Sequence, residues 1–172
     1  ESIRNIIAVG AEPVALTDCL NYGNPEKGDV FFDFQEGVRG IGDAARQLST
    51  HDDVVPIISG NVSFYNESTT GQAVVPSPVI CCIGRMPDAD KAHRMQLTNT
   101  GAKLYLLGNR ANQFAETELA KALSDLNIKF NPSTVPQVNF ETEKRINKAL
   151  FKALRENNGD GHAKAVHDVS QG

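Results

Sequence analysis

Val54-Val55-Pro56-Ile57-Ile58-Ser59-Gly60-Asn61-Val62-Ser63-Phe64-Tyr65-Asn66-Glu67 opens as an apolar, β-branched run and closes as a polar one. Val54 to Ile58 predicts a strand. Pro56 has no N–H for a ladder, so it puts that strand at a sheet edge or a bulge. Upstream, Phe31, Phe34, Val38, Ile41, Ala45 and Leu48 recur at three- and four-residue steps, with Asp33, Glu36, Arg39, Asp43 and Arg46 off the stripe. That is one amphipathic helix. Gly37, Gly40 and Gly42 weaken it by about 1 kcal/mol each relative to alanine, so close packing is expected on that side. Further upstream, Val14 to Thr17 reads as a buried strand ending in the turn-rich Asp18, Asn21, Gly23, Asn24 and Pro25. Downstream, Val79 to Ile83 is another strand.

Outside this block, Ile3, Ile6 and Ile7 predict a short helix stopped by Gly10 and Pro13. Pro87 to Gly101 is polar, and a subdomain boundary belongs there. Lys103 to Leu107 predicts a strand ending at Gly108. Ala115, Leu119, Ala122, Leu123 and Leu126 predict a short helix, and Val135 to Phe140 a loop. Ile146, Ala149, Leu150, Ala153 and Leu154 predict a second helix that stops near Gly159. Ala163 to Val166 predicts a last strand before His167 and Asp168. Strands and helices mix without repeats or heptads, so the expected fold class is α+β, a layered mixed sheet with helices. Both ends read as cut, as in a piece of a longer polypeptide.

The chain has 172 residues, 40% of them hydrophobic, enough for one domain with a core or two partial ones. A net charge of −4 argues against a nucleic-acid polymer as partner. It leaves a phosphorylated small molecule open, because backbone amides and Mg²⁺ bind phosphate without a basic surface. The three cysteines, Cys19, Cys81 and Cys82, are odd in number and lack a C-x-x-C pair. Buried reduced thiols are expected, with neither a disulfide framework nor a zinc site. No apolar run approaches the roughly 20 residues that span a bilayer, and no signal peptide opens the chain.

Several segments have side chains suited to chemistry. Gly60 lets a ligand approach the backbone, Asn61 offers a hard neutral oxygen suited to Mg²⁺, and the Ser63 hydroxyl both donates and accepts. A Gly-Asn pair at a strand end is equally the signature of an ordinary turn. Asp18 follows a buried strand, where it binds Mg²⁺ or a nucleotide hydroxyl, or merely organises its own turn. Gly40-Ile41-Gly42-Asp43-Ala44-Ala45 matches a dinucleotide fingerprint in letters only, since it lies inside a helix with no strand before it. His51 and His93 read as solvated loop residues, and neither these nor His162 and His167 have metal-pair spacing. The residues alone lead to a phosphate or nucleotide site built on two strand ends.

Four runs resemble one family. Ala15-Leu16-Thr17-Asp18-Cys19-Leu20-Asn21-Tyr22-Gly23-Asn24-Pro25-Glu26-Lys27 is similar to the TDCLNFGNPEK stretch of the phosphoribosylformylglycinamidine synthase family. Gly60 to Glu67 resembles its GNVSLYNE, Pro76 to Ile80 its PTPVIG, and Ala165 to Ser170 its SAHDVS, in the family's order and at about its spacing. Gln171 departs from the acidic or small residue expected next, and His51-Asp52-Asp53 resembles a short inserted loop.

The resemblance implies the aminoimidazole ribonucleotide synthetase superfamily. Residues 1–90 would be the later part of the second of two synthetase-like N-terminal subdomains, and 91–172 the start of the C-terminal-like one that follows it. It implies a ligase of purine biosynthesis in the cytoplasm, forming a C–N bond with glutamine as amido donor, with ATP and Mg²⁺ as cofactors. Formylglycinamide ribonucleotide is the implied substrate. Partners would be the rest of the synthetase chain, a glutaminase subunit or fused domain, and a small third subunit. By position, Asp18 and Gly60 match nucleotide-binding residues, Asn61 a Mg²⁺ ligand and Ser63 a substrate contact. No catalytic residue falls in this stretch. Two alternatives stand beside this one: a non-catalytic nucleotide-binding half that scaffolds a site, and another enzyme of the superfamily.

Overall fold

The computed structural model describes residues 1–109, 111, 113–130, 134–156 and 163–170. In chain order these form α1 (Ser2–Ala8), β1 (Glu12–Asn21), α2 (Gly28–Gln47), β2 (Ile57–Ser63), β3 (Ser77–Arg85), a single 3₁₀ turn (Ala89–Lys91), α3 (Glu118–Asp125) and α4 (Phe140–Arg155). The sheet order is β2-β1-β3. β2 runs parallel to β1 and is reached by a crossover through α2, whereas β3 is antiparallel to β1. The expected mixed sheet with helices is therefore present.

Local chemistry accounts for most boundaries. α1 stops where Gly10 takes a φ of 85°, a backbone that glycine adopts without a Cβ penalty. Pro13 sits at the start of β1, beside an irregularity in its pairing with β3. Pro56 lies just before β2 and not inside it, and its carbonyl accepts from the Leu16 amide at 2.8 Å. β2 is an edge strand, as the proline suggested. Thr117 and Asn139 cap α3 and α4, their side chains accepting from the amides of Ala120 and Thr142.

Two faces of the sheet differ. Leu16 is opposite Cys82, and Asp18 is opposite Ile80 and Gly60. Leu16, Ile80 and Cys82 pack with Ile3 and Ile7 of α1, Ala45 of α2, Leu48, Val55, and Phe140, Leu150 and Phe151 of α4. That is the covered face. Because side chains alternate along a strand, Thr17, Cys19 and Asn21 point the other way. With them go their partners Ser59, Asn61 and Ser63 on β2, and Cys81, Val79 and Ser77 on β3. This second face carries exposed Val79 and Cys81.

Several expectations are corrected. The strand expected at 14–17 continues to Asn21, so Asp18 lies within a strand and not in a turn. Its central place in the sheet gives Asp18 to Asn21 partners on both β2 and β3, which outweighs the local turn preference of Asp and Asn. Lys103 to Leu107 forms no strand, and Leu104 and Tyr105 are exposed at 75% and 78%. Ala163 to Val166 forms only an isolated bridge, Ala165 with Arg94. α4 begins earlier than expected, at Phe140, and the stop expected near Gly159 lies outside the described residues. The stripe of α2 is covered only in part: Ala45 is buried, whereas Phe31 and Val38 are exposed. Cys81 is exposed and Cys19 and Cys82 are half-buried, so the thiols are less sheltered than expected. Burial nonetheless pushes the Cys82 thiol up to about 11. Among the described residues, no helix is long and apolar enough to cross a membrane.

Candidate functional site

The parallel pairing of β1 with β2 brings together residues about forty positions apart. Asp18, Cys19 and Asn21 lie beside Gly60, Asn61 and Ser63 respectively. The Asp18 carboxylate lies over Gly60, so a Cβ added at Gly60 would overlap Oδ1 and stand 2.7 Å from Cγ. Only glycine fits beneath that carboxylate, and the space above the Gly60 backbone on the outer strand is left to the Asp18 oxygens.

The four candidate residues do not share one face. Asp18 and Gly60 belong to the covered face, and Asn61 and Ser63 to the other. Among the described residues β2 is an outer strand, so both pairs adjoin its edge and its C-terminal end. Asn61 has Cys19 as its cross-strand neighbour, with Val79 beyond it on β3. The described residues hold no group of three or more His, Cys, Asp and Glu placed to bind a metal. Asn61 is therefore a single neutral oxygen donor. That suits a Mg²⁺ whose other ligands are phosphates and water.

β2 ends in a tightly tied corner. The Tyr65 amide donates to Gly23 O at 2.9 Å and the Asn66 amide to Tyr22 O at 3.1 Å. The Asn66 side chain also donates to Tyr22 O and Ser63 O. Phe34 of α2 stands edge-on to Tyr22 and Phe64, with ring centroids 5.4 and 5.1 Å apart. Lys27, at the N-terminus of α2, pairs with Glu67 at 2.6 Å, and that hydrogen bond holds the Glu67 carboxyl below its ordinary range. A shallow cleft opens beside this corner, lined by Asn66, Glu67, Ser68, Gln72, Ala73 and Val74. Asn66, Lys27 and Glu67 were not singled out from sequence. Each lies inside a motif quoted above, but nothing in residue type or spacing marks which members hold the others.

The remaining sequence candidates go elsewhere. His167 is exposed, whereas Asp168 is buried against α1, accepting from Arg4 Nε at 2.6 Å. Burial works to lower the pKa of Arg4, but the hydrogen bond and charge of Asp168 and Glu143 outweigh it and raise it. His93 bonds the Leu154 carbonyl at the end of α4, and His51 bonds Glu12, so neither is merely solvated. His162 lies outside the described residues.

Residues 1–86 match the family described as AIR synthase related protein, N-terminal domain. Over 175 aligned residues, covering the whole chain, the sequence is 43% identical to phosphoribosylformylglycinamidine synthase subunit PurL of Methanothrix thermoacetophila, spanning 22% of that protein. It is 39% identical over 172 residues to the PurL subunit of an Anaeromyxobacter species, again along the whole chain and over 21% of the relative. The chain thus spans about a fifth of the length of these curated relatives. Thermotoga maritima PurL complexed with ADP aligns with 54% of this chain and 14% of its own, at 32% identity and a TM-score of 0.46.

Proposed function

Because this chain belongs to the AIR synthase related family, with that family's N-terminal domain in residues 1–86, we propose that it is a section of a phosphoribosylformylglycinamidine synthase. Support comes from whole-length similarity to two PurL subunits and from the four motifs in family order. On this reading the first subdomain runs to about residue 90 and the second begins at 91, and a family match that ends at residue 86 supports it. The whole enzyme is a cytoplasmic ligase of purine biosynthesis. It joins glutamine-derived ammonia to formylglycinamide ribonucleotide with ATP and Mg²⁺. Its partners are the rest of the synthetase chain and a glutaminase, separate or fused, with a small third subunit.

In that reaction the amide oxygen of the substrate takes the γ-phosphoryl group of ATP. Ammonia then adds to the amide carbon, and the C–O bond breaks to release phosphate and leave an amidine. The metal supplies charge neutralisation on the phosphates when bound. The residues of this section bind and orient. Asp18 accepts from a nucleotide hydroxyl, Gly60 serves the nucleotide by leaving the space of a Cβ to that carboxylate, Asn61 would give one oxygen to Mg²⁺, and Ser63 contacts the ribonucleotide. Positioning and electrostatics of this kind supply much of the acceleration of such a step.

The observation that carries the reading is the Asp18 carboxylate seated over a residue with no side chain, in register across two strands. In the full-length enzyme, Gly60→Ala should raise the KM for ATP about tenfold or more, because displacing Asp18 loses a charged hydrogen bond. Asn61→Ala should lower kcat/KM by a similar factor without unfolding the protein. Wild-type kinetics in both variants, with circular dichroism unchanged, would remove the site assignment.

A further inference from the structure

The corner after β2 contains a hydrogen-bond cluster in which Asn66 meets Ser63 through both ends of its amide. Asn66 Nδ2 lies 3.0 Å from the Tyr22 carbonyl oxygen and 2.9 Å from the Ser63 carbonyl oxygen. Carbonyl oxygens only accept, so they fix which end of the amide faces them. Asn66 Oδ1 then lies 3.2 Å from Ser63 Oγ and can only accept from it. Nδ2 also donates to Ser63 Oγ at 3.1 Å, which takes one lone pair of that hydroxyl. The hydroxyl hydrogen of Ser63 therefore points at Asn66, and its remaining lone pair faces outward. The backbone supports this arrangement. Tyr65 adopts a φ of 59°, a left-handed conformation costly for a bulky residue, and its amide and that of Asn66 are tied to Gly23 and Tyr22.

We propose that Asn66 is a positioning residue that holds the Ser63 hydroxyl as a hydrogen-bond acceptor, so that Ser63 recognises an N–H or O–H group of the ribonucleotide and not a phosphate oxygen. The inference rests on the reading of Ser63 as a substrate contact. It adds the direction of the bond and the residue that sets it.

The test uses the full-length synthase with ammonia, ATP and formylglycinamide ribonucleotide. Asn66→Ala and Ser63→Ala should each raise the KM for the ribonucleotide about tenfold, the size of one lost hydrogen bond in a polar site. The KM for ATP should stay within about twofold. The double variant should fall within about twofold of Ser63→Ala alone, because Asn66 acts through Ser63. Multiplying effects, or equal rises in both KM values, would overturn the proposal. Asn66→Asp serves if the alanine variant folds poorly. It keeps an acceptor for Ser63 but sets a carboxylate against two carbonyls, so its KM defect should shrink as pH falls and the carboxyl protonates. A defect independent of pH counts against the proposal. Crystal structures separate this inference from the reading beneath it. An unchanged Ser63 χ1 in an Asn66 variant overturns the positioning role, and a phosphate oxygen nearest Ser63 Oγ in the substrate complex overturns the acceptor role. Wild-type kinetics in Ser63→Ala instead overturn the substrate contact itself.

Discussion

At Gly37 the interior of α2 carries a residue that costs about 1 kcal/mol relative to alanine, and the neighbouring strand end shows why. Tyr22, 1% exposed, places its hydroxyl where a Cβ of residue 37 would be. Burial raises the pKa of that phenol, so it stays neutral. Gly40, three residues on, has nothing within 4 Å of its Cβ position. Opposite signs follow. Gly40→Ala should stabilise the chain by about 0.5–1 kcal/mol, and Gly37→Ala should destabilise it by about 1–3 kcal/mol through overpacking. In a Tyr22→Phe background Gly37→Ala should become neutral or stabilising, since the obstructing oxygen is gone. Urea unfolding of the variants reads all three, and destabilisation by Gly37→Ala in the phenylalanine background would refute the account. The sequence indicated that something crowds this helix, but not which glycine meets it, because the partner belongs to a strand end fifteen residues earlier. The same limit applied to Gly60. Its type suggested a turn, and only the register with Asp18 shows that a side chain is excluded there.

β1 is the element that ties the sheet together, and its first residue ties both flanks. Glu12 accepts from Arg85 of β3 at 2.8 Å and bonds His51, in the connection before β2, at 2.7 Å. The hydrogen bond from Arg85, aided by His51, lowers the Glu12 carboxyl below its ordinary value. A depressed carboxyl adds stability that is present above its unfolded pKa of about 4.3 and is lost as pH falls through the lower folded value. The difference in unfolding midpoint between wild type and Glu12→Gln should therefore be present at pH 6–7 and shrink below about pH 4. A difference that is constant across that range would exclude this origin. Periodicity made α1, α2 and β3 legible, together with the first half of β1, whereas the strand expected at Val54–Ile58 lies later, at Ile57–Ser63, and shares only Ile57 and Ile58 with it. The second half of β1 was hidden by Asp18 and Asn21, whose turn preference is local while the ladder that overrides it is not. Lys103 to Leu107 failed in the opposite sense. Its residues favour a strand, but a strand needs a neighbour, and no described segment pairs with it.

Across the whole molecule, α4 belongs to the second half of the chain yet packs Phe140, Leu150 and Phe151 onto the core of the first. The Arg4 to Asp168 pair likewise joins the first helix to the last motif. The candidate site was legible as a set of residues in motif order, but not as a shape. That Asp18 and Gly60 face one way and Asn61 and Ser63 the other follows only from pleat and register. On the proposed division of labour these residues bind and orient only, so this chain alone should show no turnover of formylglycinamide ribonucleotide with ammonia and ATP. Phosphate release above background in that assay would contradict the proposed division of labour. The unpaired Leu104-Tyr105-Leu106-Leu107 run matters in one further setting. All four residues are exposed by more than half, and they form an uncharged, β-prone window of the kind that nucleates stacking between chains. This window follows the three strands in the chain but precedes α4, whose Phe140, Leu150 and Phe151 complete the core on the sheet. Until another surface covers it, such a run exposes the folding chain to aggregation.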